Sequence, residues 1–155
     1  MQFINYFFIS LISYLGLLIG IILIRIAPEE QKPLNKYFNL IRKILLLSIF
    51  AFILFYYFNS QFNVLVLLVY LIFIVFVEYK IMDQNNKSIV IYAILGILFY
   101  LSLNNTNLFT IESSLILLYG IPTASLLYNR KIKNHYKIIL YNLGFVIIAN
   151  LLFFI

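Results

Sequence analysis

Long apolar runs alternate with short polar breaks along the whole chain. The runs cover residues 3–26, 40–58, 62–79, 88–103, 111–128 and 137–155. The breaks between them are Pro28 to Asn39, Asn59 to Gln61, Lys80 to Lys87, Asn104 to Thr110 and Asn129 to Tyr136. A helix needs about 20 apolar residues to cross a hydrocarbon layer roughly 30 Å thick. Only a helix or a closed barrel satisfies its backbone there. The pattern therefore predicts one all-α transmembrane domain over residues 1–155, a polytopic bundle of six spans. The fourth run, 88–103, is short. At 1.5 Å per residue it covers about 24 Å, so it must sit upright, thin the bilayer or borrow from Asn104 to Phe109. A re-entrant fourth segment is the alternative.

Charge separates these two readings. Arg25, Lys32, Lys36, Arg42 and Lys43 surround the first break. Lys80 and Lys87 bound the third, and Arg130, Lys131, Lys133 and Lys137 surround the fifth. The second and fourth breaks contain no Lys or Arg, and neither do the termini. Basic residues in alternate short loops are what the positive-inside rule demands. The reading is a multi-pass protein of the cell membrane, with basic loops cytoplasmic, both termini outside and the fourth segment crossing. The first run is expected to be a retained span, since it lacks the basic start and cleavage site of a signal peptide. From Pro33 to Lys43 the chain reads as a short interfacial helix or as an early start of the second span.

Composition agrees. Of 155 residues 65% are hydrophobic and 10% charged, against about 45–50% and about 25% in soluble domains. Cysteine is absent and there is one histidine, His135, which removes thiolate and multi-histidine metal sites. No metal, cofactor or catalytic residue is expected, and no GxSxG, HExxH or Walker A motif is present. The net charge of +6 is read as a topology signal rather than a nucleic-acid footprint. It suits anionic headgroups at the cytoplasmic face, at about 1 kcal/mol per basic residue.

The acidic residues offer little chemistry. Pro28, Glu29 and Glu30 suit the first turn of a helix. Asp83 reads as a loop residue. Glu78 and Glu112 are placed near the two interfaces, where solvation explains them. On this reading no charge reaches the middle of a span, which argues against proton relays. An enzyme acting on lipid headgroups would have only Glu29, Glu30, Asp83 and His135 to use.

Small and polar residues inside the spans are more informative. Ser13, Gly16 and Gly20 share one face of the first span and form a helix-packing face. The run YGIPTAS puts Pro122 inside the fifth span, where a kink is expected. Tyr119, Thr123 and Ser125 on the fifth span, with Asn142 and Asn150 on the sixth, are candidates for a polar pocket or for interhelical hydrogen bonds. The third span, almost wholly β-branched, Leu and aromatic, is expected at the lipid-facing edge. The functional reading is a non-catalytic subunit or scaffold packing against other membrane proteins or against itself. The alternative is a carrier or channel for a small neutral or lipophilic solute.

Overall fold

The computed structural model describes residues 2–57, 63–80, 83–128 and 135–155. Within them the chain is helical, with no strand. The helices are α1 (Phe3–Ile26), α2 (Gln31–Tyr57), α3 (Asn63–Lys80), α4 (Gln84–Leu101), α5 (Thr106–Leu127), α6 (His135–Asn142) and α7 (Gly144–Leu152). Five stretches are long and apolar enough to cross a membrane: Phe3–Ile26, Pro28–Tyr56, Gln84–Asn104, Thr106–Leu127 and His135–Leu152. Helix α3, 18 residues long, coincides with the predicted third span. The turn at Asn59 to Gln61 and the basic residues Arg130, Lys131 and Lys133 lie outside the described residues, as does the side chain of Glu78.

Register gives the direction of each helix. Gly16 meets Leu117 and Gly20 meets Ile121, so α1 and α5 run parallel. Gln31 at the start of α2 bonds to Ser125 and Tyr128 at the end of α5, so α2 runs against α5. Tyr70 of α3 reaches the Leu46 carbonyl and stacks on Phe50, while Val77 lines a cleft with Arg42 and Lys43. Helix α3 therefore runs against α2. Ser88 bonds Asn142, and Gly96 abuts Phe145 and Ala149, so α4 runs parallel to α6–α7. Tyr6 bonds to Ala149 and Tyr14 to Ile139, so α6–α7 runs against α1. Directions alternate along the chain, as a crossing fourth segment requires. Arg25, Lys32, Lys36, Arg42, Lys43, Lys80, Lys87 and Lys137 all fall toward one end of the bundle.

Three boundaries differ from the sequence reading. Helix α4 is not short: Asp83 accepts from the Asn85 N–H at 3.1 Å and caps it, so Gln84 to Lys87 join the helix. A 3₁₀ turn, Ser102–Asn104, extends the other end. The missing length comes mainly from the basic side, with Asn104 closing the other end and Asn105 to Phe109 left to α5, and Asp83 has a capping role. The stretch from Pro33 to Lys43 is the first part of a continuous 27-residue α2, so the early start holds over a separate interfacial helix. The last predicted span is broken at Leu143, between α6 and α7. There Leu143 N–H bonds back to Leu140 at 3.3 Å, and Gly144, a weak helix former, follows. Pro122 is buried inside α5, which continues through it to Leu127.

Helix ends in hydrocarbon leave orphan carbonyls that water cannot reach. Gln31 solves this for α5. Its side-chain amide donates to the Ser125 carbonyl at 2.9 Å and the Tyr128 carbonyl at 2.8 Å.

Candidate functional site, a buried carboxyl beside a tyrosine cluster

The packing face on α1 meets α5 backbone to backbone. A Cβ on Gly16 would collide with the Leu117 carbonyl, and one on Gly20 with that of Ile121. From the other side, a Cβ on Gly120 would lie 2.6 Å from the Gly16 carbonyl carbon. Ser13, also buried, donates to the Ile9 carbonyl at 2.9 Å. The seam lies within the bundle. Gly96 forms a second one, where an added Cβ would stand 2.8 Å from the Phe145 carbonyl oxygen.

Four of the five candidate pocket residues are held by hydrogen bonds inside the bundle. Thr123 donates to the Tyr119 carbonyl at 2.8 Å and Ser125 to that of Ile121 at 2.9 Å. Asn142 donates to the Ile138 carbonyl and accepts from Ser88, each at 2.7 Å. Asn150 donates to the Val146 carbonyl at 2.7 Å and to the Ser10 hydroxyl at 3.1 Å. The hydroxyls on α5 serve their own helix, Asn142 ties α6 to α4, and Asn150 ties α7 to α1. Tyr119 is wholly buried.

Around Tyr119 the interior is aromatic. The Tyr119 ring centre lies 5.7 Å from that of Tyr92, and Tyr92 lies 6.2 Å from Tyr14. Phe99 and Phe145 are 5.5 Å apart, and Phe99 continues the run to Phe109 at 4.9 Å and Tyr6 at 5.1 Å. The tyrosine hydroxyls need partners in hydrocarbon. Tyr6 finds the Ala149 carbonyl at 3.0 Å, Tyr14 the Ile139 carbonyl and Tyr70 the Leu46 carbonyl at 3.4 Å. The buried Tyr92 hydroxyl makes no hydrogen bond among the described residues.

Glu112 corrects the sequence reading most. Asn105 caps α5 by accepting from the Asn107 and Leu108 N–H groups at 3.0 and 3.1 Å. The helix therefore starts at Thr106, and Glu112 lies about 9 Å along its axis, not at a solvated edge. It is 0% exposed, and neither carboxyl oxygen has a hydrogen-bond partner among the described residues. Leu108, Ile116, Tyr119 and Thr123, which share its helical face, are equally buried. Tyr70 on α3 lies within electrostatic reach of both Glu112 and Tyr119. Tyr70 also lines a cleft between α2, α3 and α4, whose walls include Leu46, Phe73, Ile74, Ile91 and Arg42. Arg42 is buried and donates to Gln84 at 3.3 Å and Asn39 at 3.4 Å.

No relative fixes the meaning of this cluster. No protein-family model matches the chain, no curated protein matches its sequence, and no solved structure matches its fold. The site rests on its own chemistry, which is a buried carboxyl with Tyr70 in electrostatic reach, and a chain of phenols that runs on from Tyr119 to Tyr92 and Tyr14. The sequence held one usable signal for it. Asn105 two positions ahead of Asn107 is a capping pattern, and starting the helix there puts Glu112 on the face of Leu108, Ile116 and Tyr119.

Proposed function

We propose that this chain is a non-catalytic subunit or scaffold of the cell membrane. Its basic end lies in the cytoplasm, against anionic headgroups, and both termini lie outside. It packs through its apolar exterior against other membrane proteins or a second copy of itself. The filled interior carries this reading. Tyr6, Phe99, Phe109, Phe145, Tyr92 and Tyr119 occupy the axis with ring centres about 5–6 Å apart, where a carrier would keep a polar passage. The bundle's hydroxyls and amides hold its own helices together, which is the work such groups do in lipid. The lack of charge in the short loops on the non-basic side supports the orientation.

The test is native mass spectrometry after extraction in a mild detergent. A subunit emerges with a stoichiometric partner, another membrane protein or a second copy. A monodisperse monomer that carries a small neutral solute across liposomes would overturn the reading in favour of a carrier. In that case replacing Thr123 and Asn142 with apolar residues abolishes the flux.

A further inference from the structure

We propose that Glu112 is a proton-binding site within the membrane, and that the closed bundle is the protonated form. This goes beyond the scaffold reading and does not depend on it. An acidic side chain inside a span is rare and points to function unless a partner explains it. Glu112 is wholly buried about two turns into α5, and neither oxygen has a hydrogen-bond partner among the described residues. Burying a carboxylate without a donor is costly, and the neutral acid is the form such a site accepts.

The groups around it fit a proton better than a larger ligand. Tyr119 lies about two turns on along the same face of α5, and Tyr70 of α3 is within electrostatic reach of both. From Tyr119 the phenols continue to Tyr92 of α4 at 5.7 Å and from there to Tyr14 of α1 at 6.2 Å. Phenol hydroxyls donate and accept, so they can solvate either form of a carboxyl or pass a proton. On α2 the inward residues Leu46, Ile49 and Ile53 are aliphatic. Of its charged groups, Lys32 and Lys36 lie in the first turns, while Arg42 and Lys43 line the cleft that Tyr70 also lines. From α6–α7, Phe145 packs on Tyr92. The step is one proton added to or lost from the Glu112 carboxyl, with no other bond changed. Losing it leaves an anion that the closed packing cannot hold. The seam that Tyr70 occupies, where α3 lies on α2, is then the place for water to enter.

Infrared spectroscopy of the reconstituted protein, titrated across pH, tests this directly. The carbonyl stretch of a protonated carboxylic acid is expected at neutral pH, absent from Glu112→Gln and retained in Glu29→Gln and Asp83→Asn. A wild-type spectrum without that band at neutral pH, or a band untouched by Glu112→Gln, would overturn the proposal. If Glu112→Gln fails to elute as a folded species, Glu112→Asp serves instead: the band must shift, and an unshifted band sinks the assignment. Exchanging sodium for a bulky organic cation leaves the band unchanged, whereas loss of the band on adding sodium would make this a sodium site. Thermal unfolding gives a second readout. The folded state holds a proton that the unfolded chain releases, so wild-type stability falls as pH rises, and Glu112→Gln flattens that fall. Parallel pH profiles for the two proteins would count against the link to closure.

Discussion

The α1–α5 seam and the α2–α3 contact show two ways of joining helices in lipid. At the first, Gly16, Gly20 and Gly120 bring backbones so close that no Cβ fits between them. At the second, α3 meets α2 mainly through Tyr70, which stacks on Phe50 with ring centres 3.5 Å apart and bonds to the Leu46 carbonyl. Its other large residues, including Leu68, Ile72 and Phe76, face outward. Lipid tails are as apolar as leucine, so apolar surface alone does not draw helices together. Close packing and hydrogen bonds do. The glycine seam is thus the structural axis, and α3 is a side element whose Tyr70 lies within electrostatic reach of the buried Glu112.

Substitutions can break or sharpen this contrast. The largest effect is expected from Gly16→Val, whose side chain would occupy the place of the Leu117 carbonyl. Parting α1 from α5 should destabilise by about 3 kcal/mol or more, measured as a lower unfolding temperature in detergent. Gly96→Val should act in the same direction at the α4–α7 seam, by about 2 kcal/mol, because an added Cβ there stands 2.8 Å from the Phe145 carbonyl oxygen, a milder clash than at Gly16. Phe50→Ala should cost only about 1 kcal/mol. Lipid replaces the lost burial, leaving mainly the stacking term. It should nonetheless raise hydrogen exchange in α3 while sparing α1 and α5. Ser88→Ala leaves Asn142 without its interhelical donor and should cost about 0.6 kcal/mol. Gly144→Ala is the counterpart of Gly16→Val. Nothing lies within 4 Å of a Cβ there, so stability should hold or rise by up to about 1 kcal/mol. An equal loss at Gly144 and Gly16 would show that glycine content, not close approach, matters in this bundle.

The same contrast marks what was legible in advance. Gly16 and Gly20 could be read as a packing face because their spacing is helical and local. Their partner, Gly120 on a helix about a hundred residues away, could not. Tyr70 could be recognised as a mid-span hydroxyl needing an acceptor, yet nothing in its neighbourhood named Leu46. Glu112 was misplaced because the stretch Asn104 to Thr110 is polar enough to pass for a loop. A cap at Asn105 turns it into the first turn of a helix and carries the carboxyl inward. The break at Leu143 was missed because Leu143 and its neighbours look apolar, and a single glycine does not fix where a helix yields.

By itself the sequence determined the helical class, the apolar segments and the alternation of their directions. Each of those follows from local terms: the length of apolar chain that matches a hydrocarbon layer, and the cost of moving Lys or Arg across it. Tertiary structure alone decided which partner each inward face meets. That choice depends on the joint fit of all the helices, in which a glycine on α1 needs a carbonyl on α5 and an amide on α6 needs a hydroxyl on α4. It is also what left Glu112 buried in the bundle instead of facing water.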